Sequence, residues 1–176
     1  MNGVLSCYHE ISARLEAANW LVPTLARLVF AAVLLVYFLN SGLTKLGDGT
    51  FGLFSPSAGA YAQIFPRQLE AAGYDPSALS IFHRLAVLGG TLSEFVLPVL
   101  IVLGLLTRLA ALGMIGFVIV QSLTDFYGHG SALGAWFDRF ADGTILDQRT
   151  LWLFLLCVLV IRGGGPLSLD RLLGKV

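Results

Sequence analysis

Apolar residues fall in four long runs, separated by polar stretches of unequal length. The first run covers about 21–45 and opens "LVPTLARLVFAAVLLVYFLN". The second covers about 82–106 and is interrupted only by Glu94 and Pro98. The third covers about 109–124. Only "TRLA" separates it from the second, which predicts a tight hairpin. The fourth, "TLWLFLLCVLVI", is too short alone, because a bilayer core of about 30 Å needs about 20 apolar residues in a helix. A helix start at "DGT", with Asp142 or Thr144 as N-cap, extends it to about 144–162. That extension draws Asp147 and Arg149 into the membrane. The pattern predicts an all-α, integral membrane four-helix bundle, one domain across 1–176.

Polar positions inside these runs are not scattered. Tyr37, Asn40, Ser41 and Thr44 follow the spacing i, i+3, i+4, i+7 and form one helical stripe. At about 1.5 Å per residue, Asn40 lies about 7 Å below Lys45. His83 and Glu94 share a face of the second span, and Glu94 falls near the bilayer centre, about 16 Å deep. Gln121 and Asp125 are i, i+4 near the same end of the third span. Arg149 lies about 7 Å down the fourth. A charge at the bilayer centre costs roughly 3 kcal/mol on insertion scales, so Glu94 must face inward, be protonated, or be paired. Arg149 is the expected partner, with Arg27 the alternative from the other side. Tyr37, Asn40, Ser41, Glu94, Gln121 and Arg149 therefore make a candidate intramembrane polar site. Thr44 and Lys45 read more simply as interfacial anchors, since lysine snorkels. Asn40 and Gln121 serve equally well as helix–helix glue. No metal site is predicted; His83 and His129 are the weak candidates.

Composition agrees with the pattern. Of 176 residues, 56% are hydrophobic and only 12% charged, against about a quarter charged in a soluble domain. Mean hydropathy is +0.80. Formal net charge is zero, so no nucleic acid or other polyanion is implied as a partner. The start, "MNGVLSCYHEISARLEAANW", does not read as a secretion signal, because its apolar run comes too late. An even number of spans puts both termini on one side. Arg14, Arg27, Arg108, Arg162, Arg171 and Lys175 lie near that side, against Lys45, Arg67, Arg84, Arg139 and Arg149 on the other. The bias favours cytoplasmic termini and a bacterial inner-membrane location. The long segment 46–82 is expected to fold back on the bundle around Tyr61 to Ala72. Cys7 and Cys157 form no CxxC, which argues against a dithiol relay or a thiolate metal cage. Cys7 reads as a surface thiol and Cys157 as a small core residue.

Three stretches carry a family resemblance: "ARLVFAAVLLVYFLNSGLTKL", "GGTLSEFVLPVLIVLGLLTRLAAL" and "DQRTLWLFLLCVLVIRGGGPLSLDRLL". In their order they resemble the DoxX family of small bacterial four-helix inner-membrane proteins. The resemblance makes Arg27, Lys45 and Glu94 the family-like charged positions. It does not extend to His83, Asp125 or His129. It implies a link to quinone-coupled oxidoreductases and to membrane-associated redox or detoxification systems, without a settled common reaction.

The expected function is that of an accessory subunit in such a system, binding a quinone or handing electrons to a protein partner. No Gly-rich nucleotide loop and no haem-attachment CxxCH is present, so no cofactor is identifiable; a quinone fits the apolar setting. An activity of the chain's own is not expected, and a catalytic role would make it part of a quinone-linked oxidoreductase. Two alternatives stay open: a non-catalytic membrane anchor or scaffold, and a component of metal or small-solute transport. The last would require an oligomer, since four spans without a repeat make no complete transporter.

Overall fold

The computed structural model describes residues 2–49 and 51–174. Lys175, counted above with the basic residues of the terminal side, lies outside them. The described chain is helical, without strands. After α1 (Asn2–Ala17) come α2 (Leu21–Leu43), α3 (Ala58–Ile64), α4 (Pro66–Ala71), α5 (Ile81–Leu103), α6 (Thr107–Gly128), α7 (Thr144–Arg162) and α8 (Leu169–Leu172). Among the described residues α2, α5, α6 and α7 are long and apolar enough to cross a membrane. The expected spans hold, with shifted ends. The first stops at Leu43, short of Lys45, and the third runs four residues further, to Gly128. The protein is a multi-pass membrane protein.

The four spans form a ring in which α2 and α6 each pack against α5 and α7. Phe30, Leu34, Phe38, Met114, Leu156 and Leu159 fill its centre. Successive residues four apart drift by about 40° around an α-helix. A wider π-helical turn at Ala31–Leu35 takes up this drift. Phe30, Leu34 and Phe38 therefore all face the core, with exposures of 0%, 3% and 0%. The rings of Phe30 and Phe38 stack at 6.4 Å, and Trp152 leans edge-on against Phe38. Inside lipid, this close packing replaces the hydrophobic effect as the main attraction between spans.

The segment after α2 folds back, as its sequence predicts. Ala60, Tyr61 and Leu69 from α3 and α4 are buried with Leu79 and Val87. The start of α7 differs from expectation. Neither Asp142 nor Thr144 caps it. The helix opens with a π-helical turn, Thr144–Gln148, and Asp147 reaches back to accept the Gly143 N–H at 2.8 Å. Cys157 also departs from its reading, since it sits on the exposed face of α7 rather than in the core; both cysteines are free thiols.

The end of the bundle that carries the termini is closed by Arg27 and Asp170. Arg27 donates to the carbonyls of Ile101 (3.0 Å), Val102, Gly164 (3.0 Å) and Leu167 (2.7 Å). These are carbonyls at the end of α5 and in the loop after α7, where backbone acceptors run short of helical partners. Asp170 accepts the N–H groups of Leu106 (2.7 Å) and Thr107 (2.8 Å) and the Thr107 hydroxyl (2.7 Å). It thereby caps the first turn of α6, where a carboxylate is favoured. Arg27 is thus committed to backbone and is no partner of Glu94. "GGGPLSLD" supplies the counterpart: Gly164 passes so close that an added Cβ would meet Ser168 and Thr107 at 2.7 Å.

Candidate functional site

Glu94 is 2% exposed and faces the bundle interior. Its cation is Lys45, not Arg149. Lys45 follows the end of α2 but does not snorkel outward; it turns inward and is 4% exposed. Its Nζ donates to Glu94 Oε1 at 2.9 Å, to Ser41 Oγ at 2.8 Å and to the Ser41 carbonyl at 3.2 Å. The Ser41 hydroxyl donates to the same Oε1 at 2.9 Å. The i, i+4 spacing of Ser41 and Lys45 puts both on the face that meets α5. Reading Lys45 as an interfacial anchor missed this, because the lysine stem is long enough to point either way.

Arg149 is 3% exposed and pairs with Asp125 instead. The π-helical turn at Thr124–Gly128 places Asp125 beside the first turns of α7. Two charges expected in separate roles thus neutralise one another, as a pair separate from Glu94 and Lys45. Gln121 donates to the Tyr37 hydroxyl at 2.9 Å, tying α6 to α2. Asn40 is exposed and outside these contacts. Of the predicted site, then, Glu94 and Ser41 meet directly, Tyr37 meets Gln121, and Arg149 and Asn40 lie elsewhere.

A cavity of about 560 Å³ opens beside Glu94, between α5 and α6 and under the end of α3. Its volume lies in the range of ordinary small-molecule sites. Its walls are made of small residues: Ala86, Gly90 and Ser93 on α5, Gly113 and Gly116 on α6. At Gly116 a Cβ would meet nothing within 4 Å. Ile64, Phe65, Phe82 and Phe117 add apolar surface, and Glu94, Lys45 and Gln121 supply the polar groups. The rim includes Phe82 and Val120, 67% and 59% exposed. Both stand on bilayer-facing sides of spanning helices, so the cavity is open towards lipid. The glycines were visible in the sequence, but nothing there said that three of them would face the same gap.

His129 roofs the cavity and its Nε2 lies 2.9 Å from the Gln63 carbonyl. His83 bonds Ser80 through Nδ1 at 2.7 Å and packs edge-on against Phe65. No group of three or more His, Cys, Asp or Glu placed to hold a metal occurs among the described residues. Four buried polar atoms have no hydrogen-bond partner among the described residues: Glu94 Oε2, Gln121 Oε1, and Arg149 Nε and Nη1. Buried polar atoms are satisfied in the great majority of cases, so four such atoms spread over three spans are unusual.

The DoxX family model matches residues 22–127, more than half of the chain. The protein belongs to the DoxX family. The match takes in Arg27, Lys45 and Glu94, the three charges the resemblance singled out, and ends before Arg149 and the "GGGPLSLD" loop. No curated protein and no solved structure matches the chain. In this DoxX protein, the three family-like charges divide into two jobs: Arg27 closes the terminal end, while Lys45 and Glu94 build the polar end of the cavity.

Proposed function

We propose that this DoxX protein is an accessory membrane subunit of a redox or detoxification system, and that its cavity takes a flat, lipid-soluble ligand of the quinone type. The observation that carries the reading is a cavity open to lipid with the buried Lys45–Glu94 pair in its wall. An apolar slot lined by glycine and alanine suits a planar ring, and a lipid-facing rim suits a ligand that arrives through the bilayer. The polar groups would fix the ring, as a few placed polar groups do in apolar pockets. The chain would hold such a ligand for a partner protein that carries out electron transfer. Cytoplasmic termini in a bacterial inner membrane are part of this proposal, resting on the basic residues at the span ends.

The test is extraction in mild detergent followed by mass spectrometry of bound lipids and proteins. The expected result is a prenylated quinone enriched over bulk lipid, together with a membrane or membrane-associated oxidoreductase. Gly116→Leu, which fills the slot without a clash at Cβ, should lose the quinone while remaining folded. Equal quinone content in both preparations would overturn the reading. A second reading, a scaffold without ligand, draws on the internal hydrogen bonds of Lys45 and Arg27; under it Gly116→Leu would leave partner capture unchanged and no quinone would be enriched.

A further inference from the structure

We infer that the terminal end of the bundle carries a binding site for the phosphate headgroup of an anionic phospholipid. This site lies at the opposite end of the spans from the Lys45–Glu94 cavity and is independent of the quinone reading.

A pocket of about 360 Å³ opens between the start of α2 and the loop that follows α7. Asn19, Trp20 and Pro23 line it from the α2 side, and Arg162, Gly165 and Arg171 from the other. Gly165, at φ +76°, lies so near the start of α2 that an added Cβ would meet Pro23 at 2.9 Å and Thr24 Oγ1 at 3.1 Å. Arg27 holds the same loop through the carbonyls of Gly164 and Leu167. The loop is thereby fixed against α2. Arg162, just before it, and Arg171, just after it, are brought to one pocket although they lie on different helices.

Both arginines lack an acid. The Arg171 guanidinium makes no hydrogen bond or ion pair among the described residues. That of Arg162 makes one hydrogen bond there, to Asn19 Oδ1 at 3.3 Å. No Asp or Glu lines the pocket. Asp170, next to Arg171, is committed to the first turn of α6. Arg108 adds a third cation close by, since its Nε lies 3.4 Å from where a Cβ on Gly163 would stand. Like charges gathered at one pocket repel one another unless an anion sits between them. A guanidinium offers its N–H groups in a fork that matches two phosphate oxygens.

The position of the pocket identifies where the phosphate comes from. Leu21 begins one span and Arg162 ends another, so the pocket is level with the lipid headgroups. Trp20 is 50% exposed at that level, where aromatic side chains collect in membrane proteins. Ile161, next to Arg162, is 70% exposed, so an apolar flank for acyl chains begins at the edge of the pocket. Basic pockets between spanning helices are a recurring setting for anionic headgroups.

The experiment uses the full chain in a neutral detergent and reads retained lipid by native mass spectrometry. The probes are phosphatidylglycerol, phosphatidylcholine, which has the same phosphate but no net charge, and inorganic phosphate. Near an anionic surface each arginine strengthens association roughly fivefold. Phosphatidylglycerol is therefore expected to be held at least about tenfold more tightly than phosphatidylcholine. Arg171→Gln should remove most of that preference, and adding Arg162→Gln should abolish it, with the melting temperature unchanged. Arg171→Lys should keep most of it. Arg139→Gln removes the same charge at the other end of the bundle and should leave the preference intact. Equal retention of the two lipids by the wild-type protein would overturn the inference, and so would an equal loss in Arg139→Gln. Binding of inorganic phosphate that depends on Arg171, without a preference for phosphatidylglycerol, would show a site for a soluble anion and overturn the lipid assignment.

Discussion

Lys45 Nζ and Glu94 Oε1 lie 2.9 Å apart across two membrane spans, both side chains almost fully buried. Both charges are largely withdrawn from the surface, so each depends on the other. Removing one partner of a buried pair leaves an uncompensated charge and commonly costs about 3–5 kcal/mol, whereas replacing both by apolar groups of similar size can be neutral. Lys45→Met and Glu94→Leu are each expected to lower the thermal stability of the detergent-solubilised protein markedly. The double variant should recover most of the loss. Additive losses in a melting series would show that the pair is not coupled.

Asp170 is expected to matter for folding although it lies outside the family match. Asp170→Ala removes three acceptor contacts from the first turn of α6. The expected cost is about 1–3 kcal/mol from the orphaned donors. Gly164→Ala should be harmful too, because its Cβ would press on Ser168 and Thr107 at 2.7 Å. Its measured melting temperature should fall well below that of Gly89→Ala, where a Cβ meets nothing within 4 Å.

Topology can be read chemically. Single cysteines introduced in 46–80 and 128–140, in a background lacking Cys7 and Cys157, should react with a membrane-impermeant maleimide in intact spheroplasts. Reaction only after lysis would reverse the proposed orientation.

Cys7 and Cys157 are both exposed, one in α1 and the other on the bilayer-facing side of α7. A Cys7→Ser, Cys157→Ser double variant is expected to match the native protein in expression, melting temperature and quinone content. A loss of quinone with unchanged melting would point to thiol chemistry.

The spans were legible because apolar runs of membrane length admit few other structures. So was the inward direction of Glu94, since a mid-membrane carboxylate is costly anywhere else. Its partner was not. Depth favoured Arg149 over Lys45, yet two π-helical turns moved Asp125 to Arg149 and left Lys45 free to bend inward. Such turns leave no mark in the pattern of apolar and polar residues. Asp170 was missed for a different reason: it lies in a polar tail, and only the fold reveals that the tail is tucked under the α5–α6 turn. The cavity depended on which glycines face each other, a property of helix rotation that spacing alone does not determine.

Arg27 holds carbonyls that lie 74 to 140 residues further along the chain. During synthesis α2 therefore enters the bilayer with a guanidinium whose acceptors have not yet been made. The first of them arrive with the end of α5, the last with the loop after α7. Until then Arg27 must be sheltered by lipid headgroups, water or the insertion machinery. Nascent chains halted before Gly164 should remain associated with the translocon, and release should come as a single late event once that loop has emerged from the ribosome.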